Sequence, residues 1–526
     1  MVGAAPEDEP RDPGLRIARR TLLASLLTTG IALPRFPAQA DAAPSFTFES
    51  VQAQAMALAK QPYRDTSPPL PDVLKRLDYA HFRMIKFRAD QAFWRDGGFF
   101  QVRPIHRGFQ YERRVSINLV ENGVEREIAY DPAQFDFGGN NLGTTFDSSL
   151  GFAGLALAFP LDRPDEFEEF VIFLGASYFR MLGRGQAYGA SARCLAIDTA
   201  GPEGEEVPAL TAFWLERPAP DATSLTLYAL LDSKSVVGAY KIVLSPGMMT
   251  LAQCEAALYP RLDIRKLGLA PINTMFLHGK PENRPFVDIR PEVHDSDTIL
   301  MHRGNDEWVS RPLLNPQRLR VSDFFDEHPK GFGLVQRETD FRQYQDPVER
   351  FEARPSLWVE PEGDWGSGAV ELIEIPSDAE INDNVIAYWV SQQPVKAGTA
   401  LSFAYRLTAR PGVPPLPPTG RCIGTRTGPL APAEAGRPPA DRRWQFWIDF
   451  AGRELAGLSE RMPVEAVVTV SKGKATDVSC RKLETRAWRA AFTFTPEGRE
   501  DVEMRAYLRL RKSALSETWT YRLSQT

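Results

Sequence analysis

The sequence predicts an all-β protein, with a large N-terminal β-sandwich followed by a smaller immunoglobulin-like sandwich. Three observations carry this reading. Pro (43) and Gly (38) are abundant along the 526 residues, so turn formers recur too often to leave room for long helices. Short runs that alternate apolar and polar residues return repeatedly, whereas sustained 3.6-residue periodicity is scarce. The length also exceeds what one ordinary core accommodates, so the chain divides into two units.

The first forty residues read as an export address. Arg16, Arg19 and Arg20 precede the apolar run from Leu22 to Leu33, and Ala38-Gln39-Ala40 before Asp41 is a small-residue cleavage pattern. The adjacent Arg19-Arg20 pair followed by Thr21-Leu22-Leu23 is of twin-arginine type, with an ordinary secretory signal as the alternative. Residues 1–40 are therefore expected to be removed and the mature chain to work in the periplasm. No other stretch approaches the ~20 apolar residues of a spanning helix, so the mature protein is not expected to span a membrane.

In the mature chain a short helix is expected over Val51 to Lys60, stopped by Pro62. Arg114 to Val120 alternates, Asn122-Gly123 makes a tight turn and Val124 to Tyr130 returns, which predicts a hairpin. A second hairpin is expected over Ser224 to Leu244, turning at Asp232-Ser233-Lys234-Ser235. The run from Arg410 to Pro418 fits neither helix nor central strand, because proline fixes φ and lacks a donor. It marks the division: residues 41–409 as the large domain, 410–426 as a linker and 427–526 as the small sandwich. In that last segment strands are expected over Gln445 to Phe450, Val464 to Val470, Ala487 to Thr495, Glu503 to Leu510 and Thr518 to Leu523.

A net charge of −6 gives no basic footprint for nucleic acid. Six scattered histidines lack ligand spacing, and no P-loop, Gly-x-Ser-x-Gly or Cys-x-x-Cys occurs, so neither metal nor cofactor is expected. Of the four cysteines, Cys422 and Cys480 share the C-terminal segment and either bridge or stay as buried thiols.

What remains is carboxylates among aromatics. The loop from Glu374 to Asn384 carries Glu374, Asp378, Glu380 and Asp383 between two apolar runs. Acids crowded in this way repel one another, which raises the proton affinity of at least one and makes a general acid. A second loop, His294-Asp295-Ser296-Asp297, supplies further carboxylates. One acid from each loop across a cleft suits glycoside hydrolysis, which needs a proton donor and a base for water; the alternative is that the first is a solvated acidic loop and that Asp295 and Asp297 only cap turns. Tyr188, Trp308, Trp358, Trp365 and Tyr388 are candidate stacking faces for sugar rings, with Arg193 as a polar contact; most large aromatics in a chain of this kind belong to the core.

Several segments carry a family resemblance. Gly185-Gln186-Ala187-Tyr188-Gly189-Ala190-Ser191-Ala192-Arg193, Arg290-Pro291-Glu292-Val293-His294-Asp295-Ser296-Asp297, Arg354-Pro355-Ser356-Leu357-Trp358-Val359-Glu360-Pro361, and Glu374-Ile375-Pro376 with Asp383-Asn384 and Ala387-Tyr388-Trp389 resemble, in order, the OpgG/OpgD (MdoG/MdoD) glucan biosynthesis proteins. The resemblance implies a galactose-mutarotase-like N-terminal sandwich and a β-1,2-linked glucose polymer as ligand. It further implies contact with other envelope proteins of glucan synthesis. By the signal the chain is nearer the OpgD branch, whose members are inverting endo-β-1,2-glucanases. Carried over, Asp383 is the general acid, Asp295 the general base and Glu380 a supporting carboxylate. The chain departs from the family at Arg350-Phe351, where a tyrosine pair is usual before the Glu of the Arg-Pro-Ser motif.

Overall fold

The computed structural model describes residues 45–140, 142, 146–281, 288–415, 419–430 and 442–524. The expected signal segment and part of the proline run lie outside these residues. Strands take up 48% of the structure and helices 9%, which makes it an all-β protein.

Two large sheets face each other. The first orders the strands Gln101–His106, Phe152–Phe159, Glu168–Leu174, Tyr178–Met181, Ser191–Arg193, Leu267–Thr274, Val385–Ser391, Ser367–Glu374 and Arg320–Glu327. The second is built around the long antiparallel run Ala209–Glu216, Leu225–Asp232, Val236–Ser245, Thr250–Pro260 and Leu401–Arg410. Their facing side chains, among them Leu155, Leu157 and Phe173 from one sheet and Leu227, Leu231 and Leu258 from the other, form one continuous core.

Local chemistry explains the elements. Asn122 and Gly123 both hold positive φ (53° and 77°), as a primed two-residue turn requires, and join Ser116–Glu121 to Val124–Glu127. The second hairpin pairs Leu225–Asp232 with Val236–Ser245. The helix forms over Phe48–Ala59, closed at its start by reciprocal Thr47 and Ser50 bonds. Its buried positions Phe48, Val51 and Ala55 follow helical spacing and lie on Trp214, Tyr228 and Val237, covering the outer face of the second sheet.

Beyond residue 419 a four-stranded sheet of Arg421–Pro429, Trp444–Ala451, Trp488–Thr495 and Lys474–Lys482 closes a second core built on Phe446, Ile448, Phe492 and Trp519. Opposite it, Val464–Val470, Val502–Leu510 and Thr518–Leu523 continue the second large sheet, because Thr518–Leu523 pairs in parallel with Trp308–Pro312. The two sandwiches therefore share one sheet. All four cysteines are free thiols, and Cys422 Sγ lies 3.7 Å from Thr425 Oγ1. Among the described residues no helix is long and apolar enough to cross a membrane.

Candidate active site

Asp383 and Asp295 are brought together by one buried amide. Asn384 follows Asp383 at the mouth of the strand Val385–Ser391. Its side chain accepts from Phe276 N (2.8 Å) and donates to Phe276 O and Ile375 O (both 3.0 Å). Phe276 in turn pairs with His294, the neighbour of Asp295, and Asp295 N donates to Met275 O at 2.9 Å. Asn315 grips the same region by accepting from Ser377 N and donating to Leu277 O. Three chain segments distant in sequence are thus clamped at one end of the first sheet. Replacing Asn384 with Ala leaves two buried backbone groups of Phe276 and the part-buried Ile375 carbonyl unpaired, so we expect a loss of ~2–4 kcal/mol in denaturant unfolding, with catalytic loss alongside.

The two carboxylates have different surroundings. Asp295 is 3% exposed and accepts a hydrogen bond from Arg354 Nη1. Burial pushes its pKa up to about 6; the Asp383 charge adds to this, while Arg354 and Arg180 work against it. Arg354 reaches on to Glu349 Oε2 at 2.7 Å. Asp383 keeps 21% of its side chain exposed and accepts from Ser191 Oγ (3.0 Å) and Arg180 Nη2 (3.4 Å). The Arg180 guanidinium feels both aspartates, which raises its own pKa. Arg180 lies outside every segment the sequence singles out, whereas Ser191 and Arg354 fall within segments of family resemblance; the three lie 203, 192 and 59 residues from the acids they touch.

Three of the four acids of the 374–384 loop have a separate cation or dipole, and the fourth, Asp378, is exposed. Glu374 is buried at the strand end, 3.9 Å from Arg320, and it is burial that raises its proton affinity. Glu380 is exposed and accepts from Arg290 Nη2 at 2.7 Å, within a cluster that also holds Asp288 and Asp346. Arg290 and Arg354 both lie over the Phe351 ring, 5.8 and 4.2 Å from its centre. Phe351 is buried, stacked on Tyr344.

The other candidates divide by location. Tyr188 is close enough to Arg180 to feel its charge, and its hydroxyl is buried with no hydrogen-bond partner among the described residues. Arg193 is buried behind the site: it donates to Glu205 at 2.6 Å and lies over Tyr178, whose hydroxyl senses Asp383. Tyr388 is fully buried and donates to Glu371. Trp365 packs against Trp389 and Phe403 with its Nε1 on Ala404 O. Trp308 and Trp358 stack on each other at 5.7 Å, with His302 on the outer side of Trp308. His302 and Trp308 pair at the far end of the strand Thr298–His302, ~13 Å along it from the Asp295 loop. These four aromatics are not gathered around the aspartates.

Comparison with known proteins agrees with this architecture. A family model described as "Periplasmic glucan biosynthesis protein, MdoG" matches residues 46–523. "Glucans biosynthesis protein G" of Ralstonia nicotianae is 43% identical over 496 residues, 92% of this chain and 97% of that protein. "Glucans biosynthesis protein D" of Xanthomonas oryzae is 40% identical over 527 residues, covering 96% and 98%. "Glucans biosynthesis protein G" of Rhodopseudomonas palustris is 42% identical, covering 96% and 99%. Relatives of both names match to a similar degree, so identity alone does not assign the chain to the D branch. A match that spans residues 46–523, with relatives at 40% identity or more over nine-tenths of the chain, shows that the chain belongs to the MdoG family of periplasmic glucan biosynthesis proteins.

Proposed function

We propose that this protein acts in the periplasm on the β-1,2-linked glucose backbone of a glucan, as an inverting endo-glucanase that sets chain length. The observation that carries the reading is the pairing of two neighbouring aspartates in opposite environments, one buried with raised proton affinity and one open to solvent.

Accessibility divides the roles. The proton donor must touch the glycosidic oxygen, and Asp383 is the acid that a substrate can reach. Its carboxyl proton passes to that oxygen as the bond from the anomeric carbon breaks. A water on the opposite face of the ring forms the new bond to the anomeric carbon and gives up a proton that ends on Asp295. Asp295 is too enclosed to meet that water directly, so an intervening hydroxyl or water relays the proton. A base with a pKa near 6 is ionised at neutral pH and is a stronger base than an ordinary carboxylate. Arg180 and Ser191 orient Asp383, and Arg354 keeps Asp295 available as an anion.

The test is incubation of the protein from Asp41 onward with linear β-1,2-glucan, following new reducing ends and their anomeric form. The expected result is internal cleavage with inverted product. A protein that binds the glucan without releasing ends would overturn hydrolysis in favour of a second reading, a non-catalytic glucan-binding partner of envelope synthesis proteins. One observation favours that second reading: the ring between Arg290 and Arg354 is Phe351, which has no hydroxyl to relay a proton.

A further inference from the structure

Phe325 is a large apolar side chain left 64% exposed on the outermost strand of the first sheet, Arg320–Glu327. An open edge with an exposed aromatic ordinarily invites another strand. Here that route is obstructed. Along the free side of the strand, Arg522 donates to Val321 O (2.8 Å) and Arg303 donates to Phe325 O (2.7 Å). Two of the carbonyls a partner strand would use are already occupied, which disfavours strand pairing as the reason for the exposed ring.

The surroundings of the ring point to a different ligand. Clefts of about 520 and 280 Å³ lie on its two sides, and both include Arg303, Phe325 and Asp326 in their walls. The larger cleft is within the range of small-molecule sites. It adds the side chains of Asn305, Gln392 and Ser367. All three are exposed. The Gln392 amide and the Asn305 side-chain N–H groups make no hydrogen bond among the described residues; Asn305 Oδ1 is used by Glu307 N. Of the charged neighbours, Asp326 pairs with Arg303 at 3.5 Å and His328 with Asp364 at 2.7 Å, while the exposed carboxylate of Glu327 is a further acceptor for hydroxyls. A flat apolar face flanked by free, uncharged amide and hydroxyl groups is complementary to a sugar ring, which presents C–H bonds on its face and vicinal hydroxyls at its rim.

We propose that Phe325, Asn305, Gln392 and Ser367 form a second glucan-binding site, away from the aspartates, that holds a distal part of the same polymer chain. The proposal rests on the glucan reading above, but not on hydrolysis. In register Phe325 faces Ala369, five residues from Glu374 where the catalytic loop begins, or ~17 Å along the strand. A long chain can therefore engage both places, and holding it at the second raises its effective concentration at the first.

The experiment uses the mature chain with Asp383→Asn, so that bound glucan is not cut, titrated with long linear β-1,2-glucan with and without Phe325→Ala or Gln392→Ala. We expect Phe325→Ala to weaken binding roughly five- to tenfold, Gln392→Ala to weaken it less, and both proteins to keep the parent unfolding temperature. In the chain with Asp383 intact, Phe325→Ala should raise KM for long glucan by the same factor and leave kcat alone. Affinity for the polymer unchanged by both substitutions would overturn the second site while leaving the glucan reading standing. Absence of any glucan binding by the parent would sink both. Binding that is sensitive to Phe325 in a protein that never cleaves would remove hydrolysis and keep this site.

Discussion

Replacing Asp383 with Asn should cut the release of reducing ends from β-1,2-glucan by roughly 10²- to 10⁴-fold, the usual contribution of a positioned general acid. The amide is nearly the same size and can still accept from Ser191 and Arg180, which now hold the carboxylate at 3.0 and 3.4 Å. Folding should therefore be preserved, and glucan affinity should change little. The loss should fall on kcat and kcat/KM together, because the proton is delivered only in the transition state. Equal turnover by the two proteins would show that Asp383 is not the donor, and attention would pass to Asp295. A fall in binding equal to the fall in rate would make Asp383 a substrate contact rather than an acid.

The outline of the fold was legible wherever local chemistry decides it. Asn122-Gly123 specifies its own turn by tolerating positive φ at both positions. The strand Val464–Val470 is read from the sequence to its ends because five of its seven residues are β-branched. Arg421–Pro429 and Lys474–Lys482 were not read as strands. The first carries two glycines and ends on a proline, the second is mostly polar, and each becomes a strand through its neighbours in the four-stranded sheet. Similar limits apply around the acids. Sequence places Asp295 and Asp383 in loops, but the amide clamp that joins them runs from Asn384 to Phe276, 108 residues away. Nothing local marks Arg180, an arginine in an otherwise apolar strand. Phe325 was not singled out either. Its sequence neighbour Phe324 lies under Arg311 toward the interior, and which of two adjacent phenylalanines faces water depends on the sheet, not the pair.

Asp295→Asn should combine a large kinetic loss with a pH-dependent gain in stability, because one property of the carboxyl governs both. Its pKa is about 6 in the folded protein against an ordinary 3.8, so between those values the folded state binds more protons than the unfolded chain. Stability then falls as pH rises through this window, and above about pH 6 the penalty is fully present, on the order of 3 kcal/mol. An Asn at this position does not titrate, so unfolding free energy plotted from pH 4 to 7 should decline in the parent and lack that component in the variant. Arg354 loses a partner that is charged only when Asp295 is ionised, and it keeps Glu349 at 2.7 Å; the pKa of about 6 already includes its pull on Asp295. The kinetic consequence has the opposite sign. A base must be ionised to take a proton, so the ascending limb of the parent's kcat/KM profile should have its midpoint near pH 6, where its stability stops falling. The variant should lose the activity and the limb together. Coincidence of the two midpoints would identify Asp295 as the group behind both. A stability difference that is flat with pH would mean that the buried carboxyl is already ionised at pH 4, held down by Arg354 and Arg180, and the base would have to be sought elsewhere.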